Sequence, residues 1–279
     1  MALNRSLVGK GYGTHPYEVT ADAIARYARA TNDPNERYLG GDVVASPIFP
    51  VVASFGDFMA AAMDPELGAD LLRLVHAAEE HVLHRAVRPG DRLEISTVLE
   101  TVTSGDDGDS FTVLSTQTGD DGEPVAEVRG TMSIRGTGAR RRPTGHLVDK
   151  QERDIVFEQT TQIDEDQTRR YAEASGDANP IHLDEAVARS AGLPGVIVHG
   201  MCTLAVATKE AVDGPAGGDP ERVARVKARF AKPVYPGQRL TTKLWRLSSA
   251  DGVASYGFET YQAAGVAVIR DGEVEIAPG

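Results

Sequence analysis

The sequence predicts an α+β fold that is built twice: two tandem domains, each an antiparallel sheet wrapped around one central helix. Arg26–Asn35 matches Arg170–Asn179 at a spacing of 144 residues, and Val87–Leu93 matches Val234–Leu240 at a spacing of 147 residues. A period of about 145 residues is too long for a solenoid and indicates two copies of one domain. In each copy one apolar helix precedes a series of strands, which favours an antiparallel sheet over a doubly wound parallel one.

The first copy is predicted to begin with a short helix and a buried helix. The short helix is expected from about Ala21 to Thr31, and the buried one, rich in small and apolar residues, from about Phe49 to Met63. Strand-like runs separated by turn signals follow near Leu93–Thr103, Ser110–Thr118 and Pro124–Ile134. These elements define an N-terminal domain over residues 1–136.

The second copy repeats this order. Its short helix is predicted from about Glu165 to Ser175 and its buried helix from about Met201 to Val212. Its strands are predicted near Arg225–Phe230, Leu240–Leu247, Val253–Tyr261 and Val266–Ile269. We place an exposed linker at residues 137–152, where the run Arg140–Arg142 and nearby Gly and Pro interrupt apolar patterning, and a C-terminal domain at residues 153–279.

Composition is typical of a soluble globular protein. Of 279 residues, 41% are hydrophobic and 25% are charged. There is no run of about 18 apolar residues, so no membrane insertion is expected. The N-terminus lacks the apolar core of a secretory signal, and the single cysteine, Cys202, excludes internal disulfides. We therefore expect a cytoplasmic protein. Cys202 lies on the predicted buried helix and is expected in the core. A formal net charge of −12 disfavours nucleic-acid binding.

Three residues suited to proton-transfer chemistry follow the second short helix: Asp177, Asn179 and His182. Gly176 and Pro180 interrupt a helical continuation, so the three side chains lie on a kinked loop where they can converge. A carboxylate beside an imidazole can relay protons to and from a substrate. The motif alone leaves open the alternative that Asp and Asn only cap backbone groups of a turn.

Gly200 stands at the start of the second buried helix. A glycine there lets a ligand approach the backbone, and its N–H lies at the positive end of the helix dipole. Gly200 is therefore a candidate oxyanion donor for a polarised carbonyl. Its neighbour His199 is interpreted as support for the loop.

The segment Tyr171–His182, followed by Pro194–Met201, resembles the MaoC-like, (R)-specific enoyl-CoA hydratases and (3R)-hydroxyacyl-thioester dehydratases. The resemblance covers nearly the whole chain, in the two-domain form in which two hot dog folds share one sheet as a pseudo-dimeric unit. It implies an active site in the C-terminal half and an acyl-cleft role for the N-terminal half.

The resemblance also implies a role for each motif residue. Asp177 and His182 would be the catalytic pair, Asn179 would orient water or substrate, and Gly200 would form the oxyanion hole. The implied reaction is reversible syn hydration of trans-2-enoyl thioesters to (3R)-3-hydroxyacyl thioesters of coenzyme A or acyl carrier protein, in fatty-acid or related acyl metabolism. Two alternatives stay open: a hot dog thioesterase, and a non-catalytic acyl-thioester-binding subunit of a hetero-oligomeric dehydratase.

The first copy keeps the carboxylate and amide of the motif, as Asp33 and Asn35, but has Tyr38 at the position of His182. Without an imidazole this copy is expected to be inactive, so each chain would have one active site. Asp33 and Asn35 are then interpreted as turn residues.

No cofactor and no metal are expected, because the sequence spacing of Asp177, His182 and His199 is not a recognised ligand pattern. Glu79 and Glu80 are interpreted as solvated or salt-bridging rather than catalytic. Five cations near one predicted strand fit either a phosphate-binding patch or an ordinary solvated face: Arg222, Arg225, Lys227, Arg229 and Lys232. A monomer and a homodimer both fit, and the acyl length is open, although residues 45–52 are expected to line the acyl tunnel.

Overall fold

The computed structural model describes residues 2–71, 73–105, 108–134, 153–250 and 252–279. The expected linker at residues 137–152, with its Arg140–Arg142 run, lies outside the described residues. Among the residues described, no helix is long and apolar enough to cross a membrane.

The described part of the N-terminal half begins with a 3₁₀ turn at Arg5–Leu7. Its strands and α-helices follow in the order β1 (Gly11–Glu18), α1 (Ala21–Ala30), α2 (Glu36–Leu39), α3 (Val51–Ala62), β2 (Leu74–Leu83), β3 (Arg92–Gly105), β4 (Gly108–Thr118) and β5 (Pro124–Ile134). The C-terminal half continues with β6 (Ile155–Gln162), α4 (Gln167–Ser175), a 3₁₀ turn (Pro180–His182), α5 (Glu185–Ser190), α6 (Gly200–Asp213), a 3₁₀ turn (Pro220–Arg222), β7 (Val223–Phe230), β8 (Arg239–Ala250), β9 (Val253–Gln262) and β10 (Ala267–Ile276).

The strands form one continuous antiparallel sheet in the order β1-β3-β4-β5-β2-β7-β10-β9-β8-β6. β2 and β7 pair at its centre, where His81 lies opposite Val226. Helix α3 packs on strands of the first half and helix α6 on strands of the second. Each half is therefore a sheet around one central helix, and the predicted α+β fold of two tandem hot dog units in one pseudo-dimer is confirmed.

The central helices form where small and apolar residues leave almost no polar face. In α6 the side chains from Met201 to Thr208 are all buried, as expected for a helix enclosed on every side. Cys202 is fully buried there, in agreement with the core role predicted for it. At the junction of the halves α1 packs on α4, and the repeat-related Tyr27 and Tyr171 meet with ring centroids 5.7 Å apart.

Strands β1, β2 and β6 were not predicted, and each lacks the apolar alternation on which strand prediction depends. β6 has exposed side chains on both of its faces, so its sequence shows no apolar period of two. β2 contains polar residues at positions buried in the sheet centre, among them Glu79 and His81. These residues bind one another, a compensation that a hydropathy pattern does not reveal.

Candidate active site

The candidate site begins where α4 ends. Gly176 caps the helix in the left-handed conformation, with φ at +81°, a region that favours glycine. The chain then turns, and the Oδ1 atom of Asp177 accepts a hydrogen bond from the N–H of Asn179 at 3.1 Å. The Oδ1 atom of Asn179 in turn accepts from the N–H of Ile181 at 3.2 Å. Asp177 and Asn179 therefore both cap backbone groups of the turn, and the Oδ2 atom of Asp177 stays outside these bonds.

His182 lies at the end of this turn and is 7% exposed. Its Nδ1 atom is 2.7 Å from the carbonyl oxygen of Ile197. Because a carbonyl can only accept, Nδ1 carries the proton, and in the neutral ring Nε2 is left as an acceptor. This tautomer is the one that a general base at Nε2 requires.

His199 fixes the loop from behind. Its Nε2 atom donates to the backbone carbonyl of Asp177 at 3.0 Å, which is the supporting role predicted from sequence. The ring stacks on His182, with centroids 3.8 Å apart, and contacts Tyr171 at 4.8 Å. The Nδ1 atom of His199 is buried without a hydrogen-bond partner in the described part of the chain.

Burial controls the ionisation of these three groups. It raises the pKa of Asp177, against the opposing charge of His182, and lowers the pKa of His182, against the charge of Asp177. The two pKa values therefore move towards each other, which lowers the free-energy cost of passing a proton between the groups relative to an exposed Asp and His. Burial and the charge of His182 lower the pKa of His199 to about 3, which keeps that ring neutral.

Gly200 is the first residue of α6, and His199 caps the helix without a side-chain hydrogen bond. The N–H of such a residue has no partner within the helix. A Cβ atom built on Gly200 would lie 3.4 Å from the ring of Phe230, so this side chain forms a wall beside the N–H. Gly200 thus presents, at the positive end of a 14-residue helix, an N–H that has no partner within that helix.

The three side chains also come close enough for a metal ion to be considered. Asp177, His182 and His199 each place one ligand atom within 4.8 Å of the others. This closeness was not evident from their sequence spacing. The arrangement does not favour a shared ion, however, because the two imidazoles stack at an interplanar angle of 28° and in-plane lone pairs of stacked rings diverge from one point. That the site works without a metal stays a prediction.

Sequence reasoning missed a second polar cluster, on β2. Glu79 is 2% exposed, and its carboxylate lies 2.8 Å from the Nε2 atom of His76 and 3.1 Å from the Nε2 atom of His81. Glu79 is therefore not solvated, and of the two predicted roles its contacts with His76 and His81 fit the salt-bridging one. Glu80 forms the expected ion pair, with Arg225. A His-x-x-Glu-x-His spacing on one strand was the available signal, but one glutamate among strand residues is ordinarily exposed.

The cations near β7 are largely neutralised. Arg225 contacts Glu80 and Glu275, and Lys227 contacts Glu273. Arg229 pairs with Asp271, and Arg222 donates to the backbone carbonyls of Ala216 and Ala277. These contacts favour the solvated-face interpretation over a phosphate patch.

The two halves anchor the loop before each central helix by the same backbone bond. The N–H of Val198 donates to the carbonyl of Val234 at 2.8 Å, and the N–H of Ala45 donates to the carbonyl of Val87 at 2.8 Å. Val87 and Val234 are equivalent in the sequence repeat. Ala45 is therefore the structural counterpart of Val198.

Two residues beyond this anchor, Pro47 stands where the second half has Gly200. Proline has no N–H, so the first half lacks the donor as well as the imidazole, which Tyr38 replaces. Asp33 keeps its turn bond to the N–H of Asn35 at 3.1 Å, and burial raises the pKa of Asp33 to about 7. Near Pro47, residues of both halves line a cavity of about 160 Å³.

Two family models match the chain, one in each half. "MaoC like domain" matches residues 147–266. "FAS1-like, dehydratase domain region" matches residues 6–128. These matches, with the ten-stranded sheet, define a double hot dog protein of the dehydratase class.

Similar proteins agree with that class. The 3-hydroxyacyl-thioester dehydratase Y of Mycobacterium tuberculosis is 32% identical over 249 residues, which cover 85% of this chain and 80% of that protein. A probable enoyl-CoA hydratase 2 of Dictyostelium discoideum is 36% identical over 95 residues, 34% of this chain and 32% of that protein. The crystal structure of a MaoC-like dehydratase from Phytophthora capsici shares the fold with a TM-score of 0.84 at 21% identity, covering 99% of this chain and 98% of that one. The chain belongs to the MaoC-like dehydratase family, and its activity class is that of a hydratase or dehydratase.

Proposed function

We propose that this protein is an (R)-specific hydro-lyase that adds water reversibly to trans-2-enoyl thioesters and forms (3R)-3-hydroxyacyl thioesters. The observation that carries the proposal is the meeting of three groups at one place. These are a carboxylate with a raised pKa, an imidazole whose Nε2 can accept, and a helix N-terminal N–H without a partner in its own helix. Proton transfer and oxyanion binding at a polarised thioester need this combination.

In the hydration direction, the thioester oxygen would accept a hydrogen bond from the N–H of Gly200. A water held between Asp177 and His182 would give a proton to one of them while its oxygen bonds to C3 of the substrate. The electrons of the double bond move towards the thioester, and C2 takes a proton from the pair. Because one water and one pair of groups serve both carbons, both additions occur on the same face of the substrate.

The order of proton transfer belongs to the pair rather than to either residue. Since the pKa of Asp177 is raised and that of His182 is lowered, either group can hold the shared proton during the cycle. Asn179 would act mainly through the turn, because its amide oxygen already accepts from Ile181. We propose that Gly200 binds the developing enolate oxygen and that the N-terminal half carries no second active site.

Substrate carriers and setting are part of the same proposal. Coenzyme A and acyl carrier protein thioesters both present the required conjugated carbonyl, and a cytoplasmic monomer or homodimer fits the chain. The N-terminal half would supply the acyl cleft, with residues 45–52 at its wall.

A spectrophotometric assay tests the proposal. Purified protein with crotonyl-CoA should consume the absorbance of the conjugated enoyl thioester without releasing free thiol, and the product should be the 3R alcohol. Asp177→Asn and His182→Ala should each lower kcat by roughly 10²–10⁴-fold, because each removes one proton-transfer group. Thiol release would instead identify a thioesterase, and near-wild-type turnover in either folded variant would eliminate the pair.

A further inference from the structure

A histidine of the N-terminal half faces the candidate site of the C-terminal half. His76 lies on β2, and its ring packs against the ring of Phe230 with centroids 4.7 Å apart. The same Phe230 ring lies 3.4 Å from the position of a Cβ atom at Gly200. His76 is thus one side chain away from the proposed oxyanion donor, although 124 residues separate the two in sequence.

Glu79 fixes the orientation of His76. One carboxylate oxygen of Glu79 lies 2.8 Å from the Nε2 atom of His76, and the other lies 3.1 Å from the Nε2 atom of His81. The Nδ1 atom of His81 is 3.2 Å from the carbonyl of Pro47. Both nitrogens of His81 therefore face oxygen atoms, and the carboxylate of Glu79 is held between the rings of His76 and His81. A carboxylate held in this way places the proton of a neutral His76 on Nε2 and leaves Nδ1 free.

His76 lies nearer the solvent than its partner Glu79. Its side chain is 23% exposed, whereas the side chain of Glu79 is fully buried. A protonated His76 acts electrostatically on the carboxyl of Asp177 and favours its ionised form. Among the described residues, the titratable groups around Asp177 include His182, His199 and Tyr171 from its own half and His76 from β2. Glu79 and His81 lie behind His76.

We propose that His76, held by Glu79, is a positioning residue that the N-terminal half contributes to the active site. It holds the ring of Phe230 beside Gly200, where the ring forms one wall of the space in front of the N–H. In its protonated form it also favours the carboxylate form of Asp177. The inference rests on the proposed hydration chemistry, and it assigns the first half a part in catalysis beyond lining the acyl cleft.

The test is the pH profile of kcat/KM in His76→Phe and His76→Gln. Phenylalanine keeps a ring against Phe230 but carries no charge, and glutamine keeps a donor for Glu79 without a charge. In both variants the acidic limb of the profile should move upward by roughly 0.5 to 1 pH unit, less than the shift caused by a charge in direct contact. kcat/KM below that limb should fall about threefold to tenfold and approach the wild-type value at higher pH.

His84→Phe is the matched control. His84 directly follows β2 and also contacts a carboxylate, that of Glu127, at 3.3 Å. It lies eight residues beyond His76, which at the rise of a strand is about 25 Å from His76. This variant should leave the limb where it is in the wild type. A uniform loss at all pH values in both His76 variants would mean a merely structural role and would overturn the inference.

A measurement without substrate separates this inference from the proposed function. The carboxyl of Asp177 can be titrated by carbon NMR in the wild type and in the two His76 variants. Its titration should move upward in both variants, even if no enoyl thioester proves to be a substrate. An inactive wild type would refute the proposed function alone, whereas an unmoved Asp177 titration would refute the role of His76 alone.

Discussion

Replacing Gly200 by proline should remove the proposed oxyanion donor while leaving the helix in place. The N–H of Gly200 precedes the helical ladder, so its loss breaks no hydrogen bond of α6, and proline is well tolerated at the first helical position. The preceding residue, His199, has ψ at 137°, which is a conformation that a following proline permits. The added Cβ atom would lie 3.4 Å from Phe230, an ordinary contact distance. The fold should therefore tolerate the change.

The expected effect on catalysis is large. Removing one oxyanion donor costs about 2.7–4 kcal/mol of transition-state stabilisation, so kcat for hydration should fall roughly 10²–10³-fold. The donor binds charge that develops in the transition state, and the loss should therefore appear in kcat more than in KM. The measurement is the initial rate with crotonyl-CoA over a range of concentrations, with thermal denaturation to confirm that the variant is folded.

Gly200→Ala is the control for this experiment. It introduces a similar Cβ atom beside Phe230 but keeps the N–H, and its kcat should therefore exceed that of Gly200→Pro by at least about tenfold. A folded Gly200→Pro variant with kcat within about fivefold of the wild type would refute the assignment of the donor. Equal losses in the two variants would place the effect on steric crowding at Phe230.

Two further predictions concern the first copy. Asp33→Asn should remove a decline in stability between about pH 4 and pH 7, because the pKa of Asp33 in the folded protein is about 7, above its unfolded value of 3.8. Between these two pKa values the folded wild type binds more protons than the unfolded chain, so its free energy of unfolding falls as the pH rises, by at most a few kcal/mol. Urea unfolding at several pH values measures this dependence of stability on pH. An unchanged slope would show that Asp33 ionises normally. Tyr38→Phe removes a buried hydroxyl whose neighbour is Ser46 and which makes no hydrogen bond of normal geometry among the described residues. Turnover should therefore be unaffected, and stability should stay within about 1 kcal/mol of the wild type. A large fall in kcat would mean that the first copy takes part in the chemistry.

The sequence contained most of the fold because the duplication provided two independent views of each element. The repeat located both buried helices within a few residues of α3 and α6. It did not reveal β2, whose buried positions are polar. Periodicity records the polarity of a side chain, whereas the burial of Glu79 depends on His76 and His81, which supply its hydrogen bonds.

The candidate site was predictable to the extent that it is local in sequence. Asp177, Asn179 and His182 lie on one turn, and ligand atoms of Asp177 and His182 come within 4.8 Å of each other. The amide oxygen of Asn179 instead accepts from the N–H of Ile181. Contacts between the halves were not predictable in this way. The approach of His76 to Phe230 follows from the pairing of β2 with β7, a register that the residues of either strand alone do not specify.

The comparison of the two copies also indicates why only one of them can hold the proposed chemistry. Proton transfer needs the imidazole and oxyanion binding needs the N–H, and the first copy lacks both, with Tyr38 and Pro47 at those positions. Restoring histidine at position 38 alone would therefore supply a base without a donor for the developing charge. The retained Asp33 would still lie in a buried site with a raised pKa, where a carboxyl group is partly neutral near pH 7. Since the missing groups act on the same transition state, recovering activity in the first half requires at least two substitutions, and neither alone is expected to give measurable turnover.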